Sequence, residues 1–168
     1  SEDCPSCSGS WRVERSKKID VDIPAGVYTG TVLKLSGEGE PGRDGPDGDL
    51  FVRISVEPDD RFTREGNYVL LKVPISFVQA CLGDEIKVPT MEGDVKLKIP
   101  EGTQSHTVFK LKGKGFPYLD GYGRGDQHVR AIVYTPTKVS KREKELLKEF
   151  SRISKDKPKL DKKSFFNK

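Results

Sequence analysis

The sequence predicts a mostly β chain, built from two tandem units of one architecture and followed by a C-terminal helix. Three observations predict it. First, one segment is written twice. Residues 23–39 read IPAGVYTGTVLKLSGEG and residues 99–115 read IPEGTQSHTVFKLKGKG, with nine of seventeen positions identical at a constant offset of 76. Second, short runs that alternate apolar and polar residues recur between Gly- and Pro-rich stretches, the pattern of half-buried strands. Third, Ser140 and Glu143 have capping-box spacing ahead of Leu146, Leu147, Phe150 and Ile153, which mark one helical face.

The repeat extends beyond the two quoted segments. Pro41, Asp44 and Gly45 match Pro117, Asp120 and Gly121 at the same offset, and one inserted residue later GDLFVRISV matches GDQHVRAIV. Two copies are too few for a solenoid, which needs three or more. Tandem domains fit better.

The elements follow in order. KIDVDI (18–23) alternates Ile19, Val21 and Ile23 with polar residues and predicts a strand. Pro-x-Gly then makes a turn, and TVLKL (31–35) predicts a second strand. The stretches 36–48 and 112–125 are loops, because so many glycines and prolines stop regular pairing. DLFVRISV and QHVRAIVY predict third strands, being rich in β-branched residues. The second unit carries more around it: a strand YVLLKVPI (68–75) ended by Pro74, then a short helix from Ser76 to Leu82 capped by Gly83. EIKVPT and DVKLKI flank the hairpin turn MEGD, and TVFKL repeats the earlier strand.

Composition bounds the function. Hydrophobic and charged residues each make up 33% of the 168 residues, which suits thin sheets with much exposed surface. No apolar run approaches the roughly 20 residues of a membrane helix, and no signal peptide opens the chain. The first residues, SEDCPSC, carry no initiator Met, and the expectation is a fragment of something longer. The net charge of +4 is unevenly spread. Residues 137–168 hold 12 Lys/Arg against 5 Asp/Glu, a surplus of seven, so the remainder carries a deficit of three. Nucleic-acid binding normally places positive charge on the folded face. A nucleic-acid reading, using the C-x-x-C turn and the basic tail, is therefore the second choice.

Candidate sites are few. Cys4-Pro-Ser-Cys7 supplies two thiolates where a structural zinc needs four ligands. The remaining Cys81 lies in the apolar FVQACLG and is expected to be a buried thiol. A redox pair is the alternative for Cys4 and Cys7, against the absence of a βαβ pattern. His106 and His128 replace Gly30 and Phe51 of the first copy, so strand or surface histidines are expected rather than general bases. A β-rich hydrolase using His128 and Asp126 would suggest no substrate. Asp49 and Asp126 each follow a glycine and precede a strand, which suits turn chemistry. The acidic loop GEGEPGRDGPDGD would repel phosphate. What remains is an apolar strand surface between Ile19–Ile23 and Leu50–Ile54, able to take an extended peptide or simply to fill a core.

Several motifs then coincide. CPSCSGS, the long run from IPAG to TREG, ACLGDEIKVPTMEGDVKLKIPEGTQ, LKGKGFP and GRGDQHV together closely resemble the C-terminal half of the zinc-containing, forty-kilodalton heat-shock class of DnaJ-type co-chaperones, from Cys4 to about Phe166. The resemblance implies two tandem β-sandwich-like domains, the second with a short helix, followed by a C-terminal helix. It divides the chain into the end of a zinc module (1–10), an incomplete first C-terminal domain (11–59), a second (60–137) and a helix that begins a dimerisation segment (138–168). It implies binding of non-native polypeptide in an apolar groove, at Ile19 and Val52 with Val21 and Leu50 as neighbours, for delivery to a DnaK-type ATPase chaperone. It implies no enzymatic activity, a homodimer engaging Phe165 and Phe166, no nucleic acid, no membrane and a cytoplasmic setting. Zinc is expected in the full-length protein and not in this stretch, where Cys4 and Cys7 match the last of four C-x-x-C-x-G-x-G repeats. Trp11 stands where that repeat has its second glycine.

Overall fold

The computed structural model describes residues 16–42, 45–119 and 121–155. Eight strands and two helices follow one another: β1 (Val32–Leu35), β2 (Leu50–Arg53), β3 (Phe62–Glu65), β4 (Tyr68–Ser76), α1 (Phe77–Leu82), β5 (Asp84–Thr90), β6 (Gly93–Ile99), β7 (Val108–Leu111), β8 (Gln127–Tyr134) and α2 (Lys141–Ile153). They form a β1-β2 ribbon, a four-stranded sheet of order β3-β4-β8-β7 and a β5-β6 ribbon. The mostly β architecture with a short internal helix and a C-terminal helix is the one the sequence predicts.

The described chain divides into two compact units. One takes the chain as far as Leu71 together with Thr90–Glu92 and Lys110–Val129. The other takes Lys72–Pro89, Gly93–Phe109 and the chain from Arg130. In the first, Val69, Leu71 and Val129 are buried beside Gln127; in the second, Ile75, Ala80, Val88, Leu97, Ile99 and Ala131 are. Each large aliphatic side chain sealed in this way contributes about 1.5–3 kcal/mol. These residues alternate along β4, β6 and β8, so period-two patterning decides which side chains go inside.

Local chemistry sets the element ends. Ser76 caps α1: the Gln79 N–H donates to Ser76 Oγ at 3.1 Å and the Ser76 N–H donates to Gln79 Oε1 at 2.8 Å. Gly83 closes it at φ 74°. Ser140 and Glu143 form the same box on α2, whose four apolar residues all remain exposed. Phe150 meets Phe77 edge-on, with ring centroids 6.2 Å apart.

Three expectations are corrected. Residues 18–23 form no strand, although Ile19 and Val21 are half-buried and their neighbours exposed. Their repeat counterpart is β6, which pairs with β5; among the described residues nothing plays that part for 18–23. Pro74 does not end β4, which runs on to Ser76. Cys81 is exposed, because α1 turns the preceding Ala80 inward and each helical step rotates about 100°. Two strands differ from expectation without reversing it: β2 is shorter, and β3 has no counterpart in the sequence reading. β3 joins β4 through a two-residue turn, Glu65 opposite Tyr68, with Gly66 at φ 60°.

The two Gly-rich loops are closed alike. The Gly39 N–H donates to the Gly48 carbonyl at 2.8 Å and the Gly48 N–H to the Glu40 carbonyl at 2.9 Å. Their counterparts are Gly115 to Gly125 at 2.8 Å and Gly125 to Phe116 at 2.9 Å. Asp49 accepts from the Gly37 N–H at 3.2 Å and pairs with Lys34 at 2.7 Å. Asp126 accepts from the Gly113 N–H at 2.8 Å and pairs with Lys110 at 2.8 Å. Both aspartates thus hold a turn, as their position before a strand suggests. The Lys110 hydrogen bond, then the Gly113 N–H, holds the Asp126 carboxyl below the usual carboxylate range, and Asp126 lifts Lys110 above the usual lysine range.

Two outcomes follow from this geometry. A Cβ on Gly125 would run into the Asn67 carbonyl oxygen, whereas one on Gly45 would meet nothing within 4 Å. Gly125→Ala should cost about 2–3 kcal/mol in urea denaturation and Gly45→Ala should stay within about 0.5 kcal/mol; equal effects would contradict the packing. A depressed carboxylate stabilises above its ordinary pKa and loses that contribution as pH falls through the folded value. Asp126→Asn should therefore destabilise at neutral pH and leave a shallower acid decline below about pH 4, measured as midpoint against pH.

Candidate functional site

The β1-β2 ribbon is antiparallel, with Leu33 opposite Val52 and Leu35 opposite Leu50. Alternation puts these four side chains on one face. All four are half-buried. The other face shows Val32 and Phe51, 49% and 63% exposed. The structure thus brings Leu50 and Val52 together. It places Ile19 and Val21 in the segment before the first turn, which pairs with no strand among the described residues and which Lys17 ties to Glu38 at 2.5 Å. Cys4, Cys7, Phe165 and Phe166 lie outside the described residues.

The ribbon lengthens through its flanking turn. The Gly30 N–H donates to the Ile54 carbonyl and the Ile54 N–H to the Thr31 carbonyl, both at 2.8 Å, and Thr29 Oγ1 accepts from the Val56 N–H at 2.9 Å. The second copy repeats this pattern bond for bond. The His106 N–H donates to Ala131 at 2.7 Å, the Ala131 N–H to Thr107 at 2.9 Å, and Ser105 Oγ accepts from the Val133 N–H at 3.1 Å. Gly30 and His106 even share a positive φ, 93° and 71°. His106 is the one non-glycine among the described residues that does so, a backbone assignment that its exchange for Gly30 in the repeat hints at.

The copies share this frame and differ in cover. Leu50, Val52 and Ile54 are half-buried. Their counterparts Gln127, Val129 and Ala131 are 0%, 1% and 1% exposed, on a strand flanked by both β4 and β7. Among the described residues, β2 has β1 alone beside it.

Sequence reasoning missed Arg64. Its Nη1 and Nη2 donate to the Val27 and Gly26 carbonyls at 2.6 and 2.7 Å, and its Nε donates to Gly66 at 2.9 Å. The guanidinium carbon lies 4.1 Å from the Tyr28 ring centre and 4.2 Å from that of Phe116. Beside it opens a cleft of about 750 Å³ whose apolar lining includes Tyr28, Val56, Pro58, Phe62, Met91 and Phe116. Arg-Glu-Gly-Asn, a charged residue two before a hairpin turn, was the available signal. Nothing in its spacing names the carbonyls it meets. At the β5-β6 tip, Glu92 pairs with Lys114 at 2.7 Å and with Arg124. The Lys114 hydrogen bond, with the charges of Lys114 and Arg124, pulls the Glu92 carboxyl below its ordinary range. These are structural ties on an exposed surface.

His128 stacks on Tyr68, ring centres 5.1 Å apart, two residues beyond the Asp126 that Lys110 holds. That is packing within the sheet. Among the described residues, no three His, Cys, Asp or Glu side chains stand close enough to hold a metal ion. Among them, too, no helix is long and apolar enough to cross a membrane.

Both copies of the repeat fall within one family match. The family described as "DnaJ C terminal domain" matches residues 6–136, and "Chaperone protein DnaJ C-terminal region" matches residues 142–168. Among curated relatives, the "Chaperone protein DnaJ" of Desulfitobacterium hafniense (strain DSM 10664 / DCB-2) is 53% identical over 169 residues, covering 100% of this chain and 45% of that protein. That of Geobacillus kaustophilus (strain HTA426) is 56% identical over 168 residues, covering 91% of this chain and 44% of that protein. The chain spans a little under half the length of these relatives. It belongs to the DnaJ C-terminal domain family.

Proposed function

We propose that this chain is the client-holding part of a DnaJ-type co-chaperone. It binds non-native polypeptide against the apolar face of β1 and β2 and does no chemistry on it. One observation carries the reading: positions sealed as core in the second copy stand half-open in the first, on an otherwise matching frame. An extended segment laid there gains backbone hydrogen bonds from a strand edge and buries alternate side chains against Leu33, Leu35, Leu50 and Val52. Ile19 and Val21 flank that surface in this reading. Backbone bonding accepts many sequences, which suits a protein that holds varied clients.

Delivery of the client to a DnaK-type ATPase belongs to the longer protein. So does zinc: Cys4 and Cys7 supply two thiolates of the four a closed site requires, and no step depends on the metal. A homodimer through the C-terminal segment, engaging Phe165 and Phe166, completes the reading, since two weak sites on one particle gain by avidity. The setting is cytoplasmic, where thiols stay reduced.

Ile19→Ser and Val52→Ser should each weaken binding of a fluorescein-labelled Leu- and Val-rich peptide about tenfold, read by anisotropy, with circular dichroism unchanged. Parent-like affinity in both would remove the peptide from this face. Light scattering should give twice the 18.8 kDa chain mass, falling to one chain in the Phe165→Ser/Phe166→Ser double variant. A monomeric parent would remove the dimer.

A further inference from the structure

We propose that Arg64 is a positioning residue for the client-holding face: it fixes the turn from which β1 departs, and so sets where Leu33, Leu35, Leu50 and Val52 stand. Its functional half rests on the peptide-binding reading above; its structural half does not.

The two copies start from the same turn, Pro24-Ala25-Gly26 and Pro100-Glu101-Gly102, with both glycines at positive φ, 91° and 73°. They anchor it differently. In the second copy the turn is held from its N–H side. Gly102 donates to the Cys81 carbonyl at 3.4 Å and Thr103 to the Ala80 carbonyl at 3.0 Å, both at the end of α1. Thr103 Oγ1 adds a bond to the Pro100 carbonyl at 2.6 Å. In the first copy Val27 replaces Thr103, so that hydroxyl is gone. There the turn is held from its carbonyl side, with Gly26 and Val27 taken by the two terminal nitrogens of Arg64.

The guanidinium is itself immobilised. Its third donor goes to the Gly66 carbonyl, and two aromatic rings lie against it. Only a planar fork meets these demands together; an ammonium offers no flat face and no parallel pair of donors. The space is tight as well. A Cβ on Gly26 would lie 2.5 Å from the Pro117 carbonyl oxygen, so the turn sits against the Pro117–Leu119 segment with no slack.

The influence of Arg64 reaches the apolar face through consecutive bonds. Beyond Val27, the Tyr28 N–H donates to Thr31 Oγ1 at 3.1 Å, and the Tyr28 carbonyl accepts from the Thr31 N–H at 3.0 Å. Thr31 and Gly30 then bond to Ile54, which begins the register of β1 on β2. Releasing Gly26 and Val27 loosens the first link of that series.

The test uses the 168-residue chain with Arg64→Lys and Arg64→Ala. Hydrogen exchange is followed at the Gly30 and Ile54 amides, with the His106 and Ala131 amides as the matched bonds of the second copy. Affinity is read with the fluorescein-labelled Leu- and Val-rich peptide. In Arg64→Lys, Gly30 and Ile54 should exchange about tenfold faster and affinity fall about tenfold, while His106 and Ala131 keep parent protection. Millimolar methylguanidinium should restore affinity to Arg64→Ala; if that variant does not fold, the lysine variant decides alone. Unchanged exchange at Gly30 and Ile54, or equal loss at His106 and Ala131, overturns the positioning role. Faster exchange with parent affinity overturns its link to the face. A parent that does not bind the peptide refutes the peptide-binding reading, while selective exchange at Gly30 and Ile54 still upholds the positioning role.

Discussion

Asn67 is the point on which the first unit depends. It occupies the second position of the β3-β4 turn and serves both copies of the repeat at once. Its carbonyl accepts the Phe116 N–H at 3.0 Å from the second copy, and its side-chain oxygen accepts the Tyr28 hydroxyl at 2.8 Å from the first. Its carbonyl oxygen also sits so close to Gly115 and Gly125 that neither position has room for a side chain. One short turn thus accepts a main-chain N–H and a side-chain hydroxyl from two distant parts of the sequence. The same hairpin meets both Tyr28 and Phe116, and the Arg64 guanidinium carbon lies 4.1 Å and 4.2 Å from their ring centres.

A shared frame with unequal cover separates what duplication preserves from what it releases. The ladder bonds, the aspartate-held turns and the Lys–Asp pairs recur at matching positions. Those bonds are made largely by the main chain and by residues kept in both copies. Cover comes from outside the repeat: β4 lies beside β8, and α1 closes on the turn before β7. The second copy therefore becomes core and the first keeps an apolar face, without either needing a different backbone path.

The sequence made legible whatever is decided within a few residues. The start of α1 at Ser76, the capping box at Ser140, the β5-β6 hairpin about MEGD and β8 over the β-branched run of 127–134 fall where the sequence puts them. Period two put Leu50 and Val52 on one face; the register then sets Leu33 and Leu35 across from them, where the sequence suggested Ile19 and Val21. It could not say whether a partner strand exists, so residues 18–23 alternate as a strand would and pair with nothing among the described residues. Cys81 misled because FVQACLG is apolar but for Gln79, and only the rotation of α1 decides that Ala80 faces inward. Arg64 was illegible for a different reason. Its partners are carbonyls, which every residue carries, so nothing in the letters marks Gly26, Val27 and Gly66 as its acceptors.

His106 shows how strictly the main chain is held. An L-residue in the left-handed region gives up about 1–2 kcal/mol that glycine would not. The chain nevertheless keeps φ at 71° there, and keeps the bond to Ala131. Side-chain identity has drifted between the duplicates while the path of the peptide has not. Positions 30 and 106 are in that sense interchangeable, and glycine at both would keep the same ladder bonds with less internal tension.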